Sequence, residues 1–275
     1  MALFVNTNLG SINAQRHLEE TGTGLRTALE RLSSGVRLND AYDDAAGLAI
    51  ADKLGRDVRV IGQALRNAND GLSALSIAEK ALGTVSSTIT RLSELAQQSA
   101  TGTVSNVQRS AINAEFGQLL SEITRISTTT TFNGVSLLSA GTTVAVQVGL
   151  DGSSDSQISF TTIDGSLSAL FQGQTGISVD TAGNAQSALG TLTSSIAGVA
   201  QTRGTLGAYE SRLLSAITNL RVARENFAAA EGRIRDTDVA EETAKLTKGN
   251  ILQQAGVAIL AQANQQPNLA LRLLQ

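Results

Sequence analysis

Hydrophobic residues recur along this chain in two long seams, with steps of three and four. The clearer seam runs Ala185, Leu189, Leu192, Ile196, Val199, Leu206, Leu213, Ile217, Leu220, Phe227 and Ile234, and every seventh position from 185 to 234 is apolar. A stripe with a period near 3.5 keeps one helix face turned towards a partner helix over its whole length. At ~1.5 Å per residue those positions predict a helical rod of roughly 75 Å. The second seam is Ile61, Ala68, Leu75, Leu82, Ile89 and Ala96, widened by Leu65, Leu72, Val85 and Leu92. It predicts another long helix from about Tyr42 to Ser99. Gly55, Gly62, Gly71 and Gly83 each weaken that helix by about 1 kcal/mol relative to Ala, which packing must offset.

The other elements follow from where the seams stop. Residues 1–10 read as extended or disordered. A first helix begins near Ser11, carries Leu18, Leu25, Leu29 and Leu32 on one face, and stops at Gly35. Asn39 and Asp40 offer an N-cap for the second helix, with Asp43 and Asp44 in its first turn, where the helix dipole favours acids. After a break at Thr101-Gly102-Thr103, a third helix shows Ile112, Phe116, Leu119, Ile123 and Ile126. The period then changes. Phe132, Asn133 and Gly134 hold the Asn-Gly turn pair. Val144, Val146 and Val148 alternate, as do Ile158, Phe160 and Thr162 across Asp151 to Ser154, which predicts a hairpin. A Gly-, Ser- and Thr-rich stretch leads to the long helix at about Thr181–Arg235. Asp236 to Asp238 cap a last helix whose apolar face is Ile251, Leu252, Ala255, Ala258, Ile259 and Ala263.

The fold class is therefore mainly α: an elongated helical bundle or coiled coil with a small β-hairpin region, its termini pairing as helices at one end. Four segments result: an N-terminal helix (1–40), two rod helices with the hairpin (41–180), a C-terminal long rod helix (181–235) and a C-terminal helix (236–275). A lone two-helix pair buries little area, so the terminal pair is marginal unless other chains cover it.

Composition narrows the function classes. With 21 basic against 24 acidic residues and no basic cluster, the chain lacks the concentrated positive surface that nucleic acid demands. No Cys is present, which excludes disulfides and thiolate sites. The single Pro267 permits uninterrupted helices before it. The start has no basic region followed by an apolar run and a cleavage site, and no stretch of about 18 apolar residues could span a bilayer. Those absences alone point to the cytoplasm. His17 stands in no metalloprotease pattern and reads as a helix-surface residue. Asp43-Asp44 and Glu241-Glu242 are explained by helix starts. No cofactor, metal or catalytic group is implied, and the chain reads as a non-enzyme.

Several segments carry a family likeness. Residues 30–50 (ERLSSGVRLNDAYDDAAGLAI), 66–71 (RNANDG), 131–134 (TFNG), 250–256 (NILQQAG) and 260–267 (LAQANQQP) occur in an order that resembles bacterial flagellin. Only 139–180 has no strong counterpart, so the chain is similar to a minimal flagellin lacking the large outer variable domains. The resemblance implies a self-assembling subunit of the flagellar filament, which overturns the cytoplasmic reading. It implies export, unfolded and without a cleaved signal, through the flagellar type III apparatus, and addition at the filament tip. Implied partners are copies of itself, the export apparatus, the cap and hook-junction proteins, and a flagellin chaperone at the C-terminal region, Leu269–Gln275. No membrane insertion is implied. A hook–filament junction protein of the same superfamily and a helical signalling rod are the competing readings.

Two groups of residues become candidates. Periodicity alone fits either an ordinary folded pair or a subunit interface for Leu18, Leu25, Leu32, Ile251, Leu252 and Ile259; the resemblance implies a polymerisation interface that orders on assembly. By pattern alone Arg91 and Leu95 share a flanking surface face beside the seam. Residues 91–99 (RLSELAQQS), with Glu115 on the next helix, resemble the segment by which flagellins engage the animal Toll-like receptor that senses them. The polar run Asn67 to Gly71 reads as a solvated face or as hydrogen-bonding groups between subunits.

Overall fold

The structure, a computed structural model, describes residues 7–139, 141–174 and 176–273, with the side chains of 266–273 left aside. Six α-helices and four strands follow in the order α1 (Leu9–Ser34), α2 (Ala45–Ala100), α3 (Asn106–Thr129), β1 (Thr131–Phe132), β2 (Val135–Ser136), β3 (Thr143–Gln147), β4 (Gln157–Thr161), α4 (Leu167–Leu170), α5 (Ala182–Arg235) and α6 (Val239–Leu273). The expected helices and hairpin are all present. The short pair β1–β2 and the single turn α4 were not expected, because segments of two to four residues carry no period. Of residues 1–10, read as extended or disordered, 1–6 lie outside the described residues, and Leu9 and Gly10 are already helical because the Asn8 side chain caps α1 ahead of Ser11. The chain divides into two compact units, Asp57–Glu225 and the two ends Met1–Arg56 with Asn226–Gln275.

In the central unit, α2 carries the core. Ile61, Ala68, Leu75, Leu82, Ile89 and Ala96 are all buried, as the seam predicts. The buried stripe is wider than the seam, taking in Ala64, Ala74, Ala78, Leu92, Leu95 and Ser99, because α2 is covered by α3 on one side and α5 on another. On α5 the heptad positions Ala185, Leu192, Val199, Leu206 and Leu213 are buried, and Ala188 and Ser195 widen the stripe rather than Leu189 and Ile196, which are half-buried. Two ion pairs lie across these helices: Arg203 donates to Glu79 at 2.6 Å, and Arg91 to Glu115 at 2.9 Å.

The corner between α2 and α3 is held by Arg109, which periodicity did not single out. Its buried guanidinium donates to the carbonyls of Ser99 and Thr101, both at 2.9 Å. A helix end leaves such carbonyls without partners, and a cation is the favoured donor there. The Ser99 hydroxyl donates to the Val179 carbonyl, while Asn113 Oδ1 accepts from the Val179 N–H at 2.9 Å. Both backbone groups of the buried Val179 are thus satisfied, and the chain is aimed into α5.

The main hairpin pairs β3 with β4 antiparallel, with Val144 opposite Phe160 and Val146 opposite Ile158. Val146, Ile158 and Phe160 turn inward, and the Phe160 ring lies 6.3 Å from that of Tyr209 on α5. A Cβ on Gly71 would meet Val146 Cγ2 at 2.8 Å and Leu213 Cδ1 at 3.5 Å, so this glycine is where the hairpin seats on α2. Asn67 Nδ2 donates to the Gln147 carbonyl at 3.2 Å. The polar run therefore anchors the hairpin within the chain, which corrects its reading as a solvated face at Asn67. At the hairpin tip the Asp151 carboxylate accepts from Ser156, from the Ser153 hydroxyl at 2.8 Å and from the Ser153 N–H.

The end unit contains α1, α6, the first turns of α2 and the last turns of α5. Gly35, at φ 73°, closes α1 in the left-handed conformation that glycine adopts without strain. An isolated antiparallel bridge joins Val36 to Asp236, with Arg37 N donating to Arg235 O at 2.6 Å and Thr237 N to Gly35 O at 3.1 Å. The cap of α2 is Asp44 rather than Asn39 or Asp40: its Oδ1 accepts from Ala46 N and Gly47 N. Asp238 caps α6 in the same way, accepting from Ala240 N and Glu241 N.

Two tests follow from this packing. Gly71→Ala should destabilise the chain by about 1–2 kcal/mol, because overpacking outweighs the gain in helix propensity. Gly62→Ala, where nothing lies within 4 Å, should stabilise it by up to ~1 kcal/mol. Urea unfolding that moves both variants in one direction refutes the assignment of Gly71 as the hairpin seat. The second test concerns Asp151. Its carboxyl is held below the usual 3.8, first by the Ser156 hydroxyl and then by Ser153. A lowered carboxyl supports the folded form above pH 3.8 and loses that support as pH falls through the lowered value. Carbon-detected titration should show Asp151 below 3.8 and moving up in Ser156→Ala; an unchanged titration counts against the tip geometry.

Candidate functional site

The sequence placed the assembly site on the two terminal helices, and the structure shows how they meet. α1 and α6 run antiparallel and bring more of their backbones within close range than any other helix pair among the described residues. Leu18 and Leu25, one heptad apart, project at Gly256 and Gly249, one heptad apart on the partner. A Cβ built on either glycine would stand 3.1 Å from the leucine's Cδ1. Gly10 sits against Ala263 in the same register, with 3.8 Å between a built Cβ and the Ala263 Cβ. Large knobs thus enter notches left by missing side chains.

This choice of face decides what α6 presents elsewhere. Between Val239 and Gln265 its only buried or half-buried residues are Glu242, Leu246, Gly249, Gly256, Leu260 and Ala263, spaced by steps of three, four and seven. The sequence had named Ile251, Leu252, Ala255, Ala258, Ile259 and Ala263 as the apolar face. Of these only Ala263 is covered. Ile251 is 62% exposed, Leu252 47% and Ile259 60%; Val257, on the other flank of the covered seam, is 54% exposed. The physical reason is depth: a close helix pair selects glycine and alanine for its seam and turns bulky side chains outward. Leu18, Leu25 and Leu32 on α1 are half-buried, while Leu9, Ile12 and Leu29 stand exposed. Ala240, Thr243, Ala244, Thr247, Ile251 and Leu252 line a shallow, mainly apolar trough along α6.

At the closed end of the pair, charge replaces grease. Glu242, one heptad before Gly249, is buried and lies 3.9 Å from Arg31 and 3.0 Å from Lys245. Arg31 also reaches Asp43 at 3.6 Å. The hydrogen bonds that Lys245 donates to Glu241, foremost, and then to Glu242 raise its ammonium above the usual 10.5. Sequence reasoning missed this cluster and the glycine notches. The three-and-four spacing from Glu242 to Ala263 was the available signal, obscured because a seam of Glu and Gly does not look like one.

The second candidate group is divided. Arg91 is exposed, and it donates to Glu115 at 2.9 Å and to Glu94 at 2.9 Å, so the structure brings Arg91 and Glu115 together. Both carboxylates, Glu115 foremost, hold the guanidinium protonated still more firmly. Leu95 is 2% exposed and belongs to the core of the central unit. Its reading as a surface residue is corrected: α2 has two partners, so a second apolar row beside the seam is also covered. No helix among the described residues is long and apolar enough to cross a membrane.

Comparison with known proteins gives the family. Residues 5–143 match the bacterial flagellin N-terminal helical region and residues 189–274 the bacterial flagellin C-terminal helical region. A flagellin of Halalkalibacterium halodurans is 43% identical over 274 residues, covering 99% of this chain and 100% of the relative. The flagellar filament 33 kDa core protein of Treponema phagedenis is 36% identical over 286 residues, again with 99% and 100% coverage. The crystal structure of Bacillus cereus flagellin superposes with a TM-score of 0.51 at 28% identity, over 56% of this chain and 88% of that one. The chain belongs to the bacterial flagellin family, in a short form without a large variable domain. Flagellin A of Vibrio anguillarum, whose alignment extends to 379 residues at 33% identity, shows the longer form.

Proposed function

We infer that this chain is a structural subunit of the bacterial flagellar filament, and that the outward face of α6 is its polymerisation contact. The carrying observation is the group Ile251, Leu252 and Ile259, exposed on one side of α6 beyond the seam that α1 occupies. Each such side chain contributes about 1.5–3 kcal/mol on full burial, and contiguous exposed apolar surface of this kind marks an interaction site. Copies of the same chain are the natural occupant, since subunits related by one operation bring identical stripes into repeated contact. A net charge of −3 leaves little long-range repulsion against stacking. The terminal pair forms the inner coiled-coil layer of the tube.

The subunit works outside the cell. It reaches the filament tip through the flagellar export apparatus, past the hook-junction proteins and beneath the cap. The C-terminal region, Leu269–Gln275, is the chaperone-binding segment; the side chains there lie outside the described residues. In the family role the work is mechanical, and no catalytic step is assigned. A junction adaptor would share the terminal helices but would not elongate filaments, so growth on filament fragments separates the two readings. For animal hosts, the exposed Arg91–Glu115 pair is the receptor contact, with Leu95 supporting α2 from beneath.

Electron microscopy of the purified chain under polymerising conditions should show filaments. Ile251→Ser with Ile259→Ser should abolish growth on seeds while leaving unfolding of the central unit unchanged. Growth at the unmodified rate removes the α6 stripe from the contact. Arg91→Ala should lower receptor signalling by the soluble chain about tenfold, the size of one interface hot spot. Arg125→Ala, another exposed ion-paired arginine on α3, should change nothing; equal losses would place the receptor contact elsewhere.

A further inference from the structure

α6 continues as a helix to Leu273, through Pro267. Proline has no N–H, so the bond that would close on the carbonyl four residues back cannot form. That carbonyl belongs to Ala263. It is not left idle: the side-chain amide of Asn8 donates to Ala263 O at 2.8 Å. The same side chain turns its oxygen the other way, where Asn8 Oδ1 accepts from Ser11 N at 3.0 Å and caps α1. One amide therefore starts the first helix and mends the last. The surroundings are built for close approach, since Gly10 lies against Ala263 and both Ser11 and Ala14 are buried.

We propose that Asn8 is the register clamp of the terminal helix pair, donating to Ala263 the hydrogen bond that Pro267 cannot, so that α6 beyond Ala263 holds its helical form only while the start of α1 is docked. Leucine knobs entering glycine notches a heptad apart tolerate a slip of one heptad; a single donor meeting a single orphaned carbonyl does not. The clamp also ties the two chain ends together, because a copy whose N-terminal segment is undocked has its last helical turns unsupported. In the assembly reading given above, neither end enters the inner layer without the other. The clamp itself is a contact within one chain, and its test needs no filament.

The chain has no cysteine, so an engineered pair reports register cleanly. Gly10→Cys with Ala263→Cys places two Cβ atoms at 3.8 Å, the usual separation across a disulfide, and leaves the Ala263 backbone carbonyl in place. Disulfide formation in this full-length background under limiting oxidant traps the docked register even where docking is brief. Asn8→Asp keeps the cap to Ser11 but removes the donor, and Asn8→Ser, without adding charge, keeps a capping oxygen while its shorter side chain draws the one remaining donor, the hydroxyl, back from Ala263 O. Both should slow disulfide formation about three- to tenfold, the span of one net hydrogen bond. Pro267→Ala supplies the missing N–H, so it should restore the rate in either Asn8 variant while changing the parent little. An unchanged rate in Asn8→Asp and Asn8→Ser, a loss that persists with Pro267→Ala, or a parent pair that never closes overturns the clamp. Failure of the unmodified chain to form filaments would bear on the assembly reading alone.

Discussion

A helix has only so much circumference, and α6 uses its smallest residues on the inside. Gly249 and Gly256 let Leu25 and Leu18 come down to the backbone, which draws α1 and α6 together more closely than larger seam residues would allow. The consequence is forced: Ile251, Leu252, Val257 and Ile259 cannot also face α1, so they face out. A pair that maximised its own burial would have turned Ile251, Leu252 and Ile259 inside. This pair is closed on itself by close van der Waals contact and remains apolar on its far side. The small residues that close the pair also leave its far side apolar, in a chain that belongs to the flagellin family.

The central unit is organised on the opposite logic. α2 is covered on two flanks and buries Ile61, Leu65, Leu75, Leu82, Val85, Ile89, Leu92 and Leu95. Polar groups at its corners are paired rather than exposed: Arg109 closes the end of α2, Ser99 and Asn113 hold both backbone groups of Val179, and Asn67 fastens the hairpin. Buried hydrogen bonds of this kind add modest stability each but are costly to leave unmade, so they select one arrangement among the many that a greasy stripe alone would allow. The apolar residues this unit still exposes, Val107, Leu150, Leu214 and Val222 among them, lie outside its seams. The division of labour within one chain is thus a division in where the bulky residues point.

Legibility from sequence followed the same line. The heptads on α2 and α5 were readable because tens of residues repeat one message, and the hairpin was readable from Val144, Val146, Ile158 and Phe160 alternating around Asp151 to Ser154. Cap identity was less readable: Asp44 and not Asn39 starts α2, since several polar residues in a row satisfy the same local rule and only the path of the backbone chooses. Leu95 was misread because one seam was counted where α2 has two covered sides. The face of α6 was misread for the converse reason, that glycine and glutamate do not register as a seam. Asn8 was invisible, because its importance rests on a proline 259 residues away.

By itself the amino-acid sequence determined the local content of this protein: which stretches are helical, where they stop, where the period turns to two, and which short segments mark the flagellin family. Those properties depend on neighbours within a few residues or on repeats that any partner would recognise. Tertiary structure decided which side of α6 is inside and how far the buried side of α2 extends, because both depend on how closely the backbones of neighbouring helices approach. It placed Leu18 over Gly256, turned Ile259 to solvent, sank Leu95 beneath Arg91, and brought the Asn8 amide to the one carbonyl that Pro267 leaves unserved.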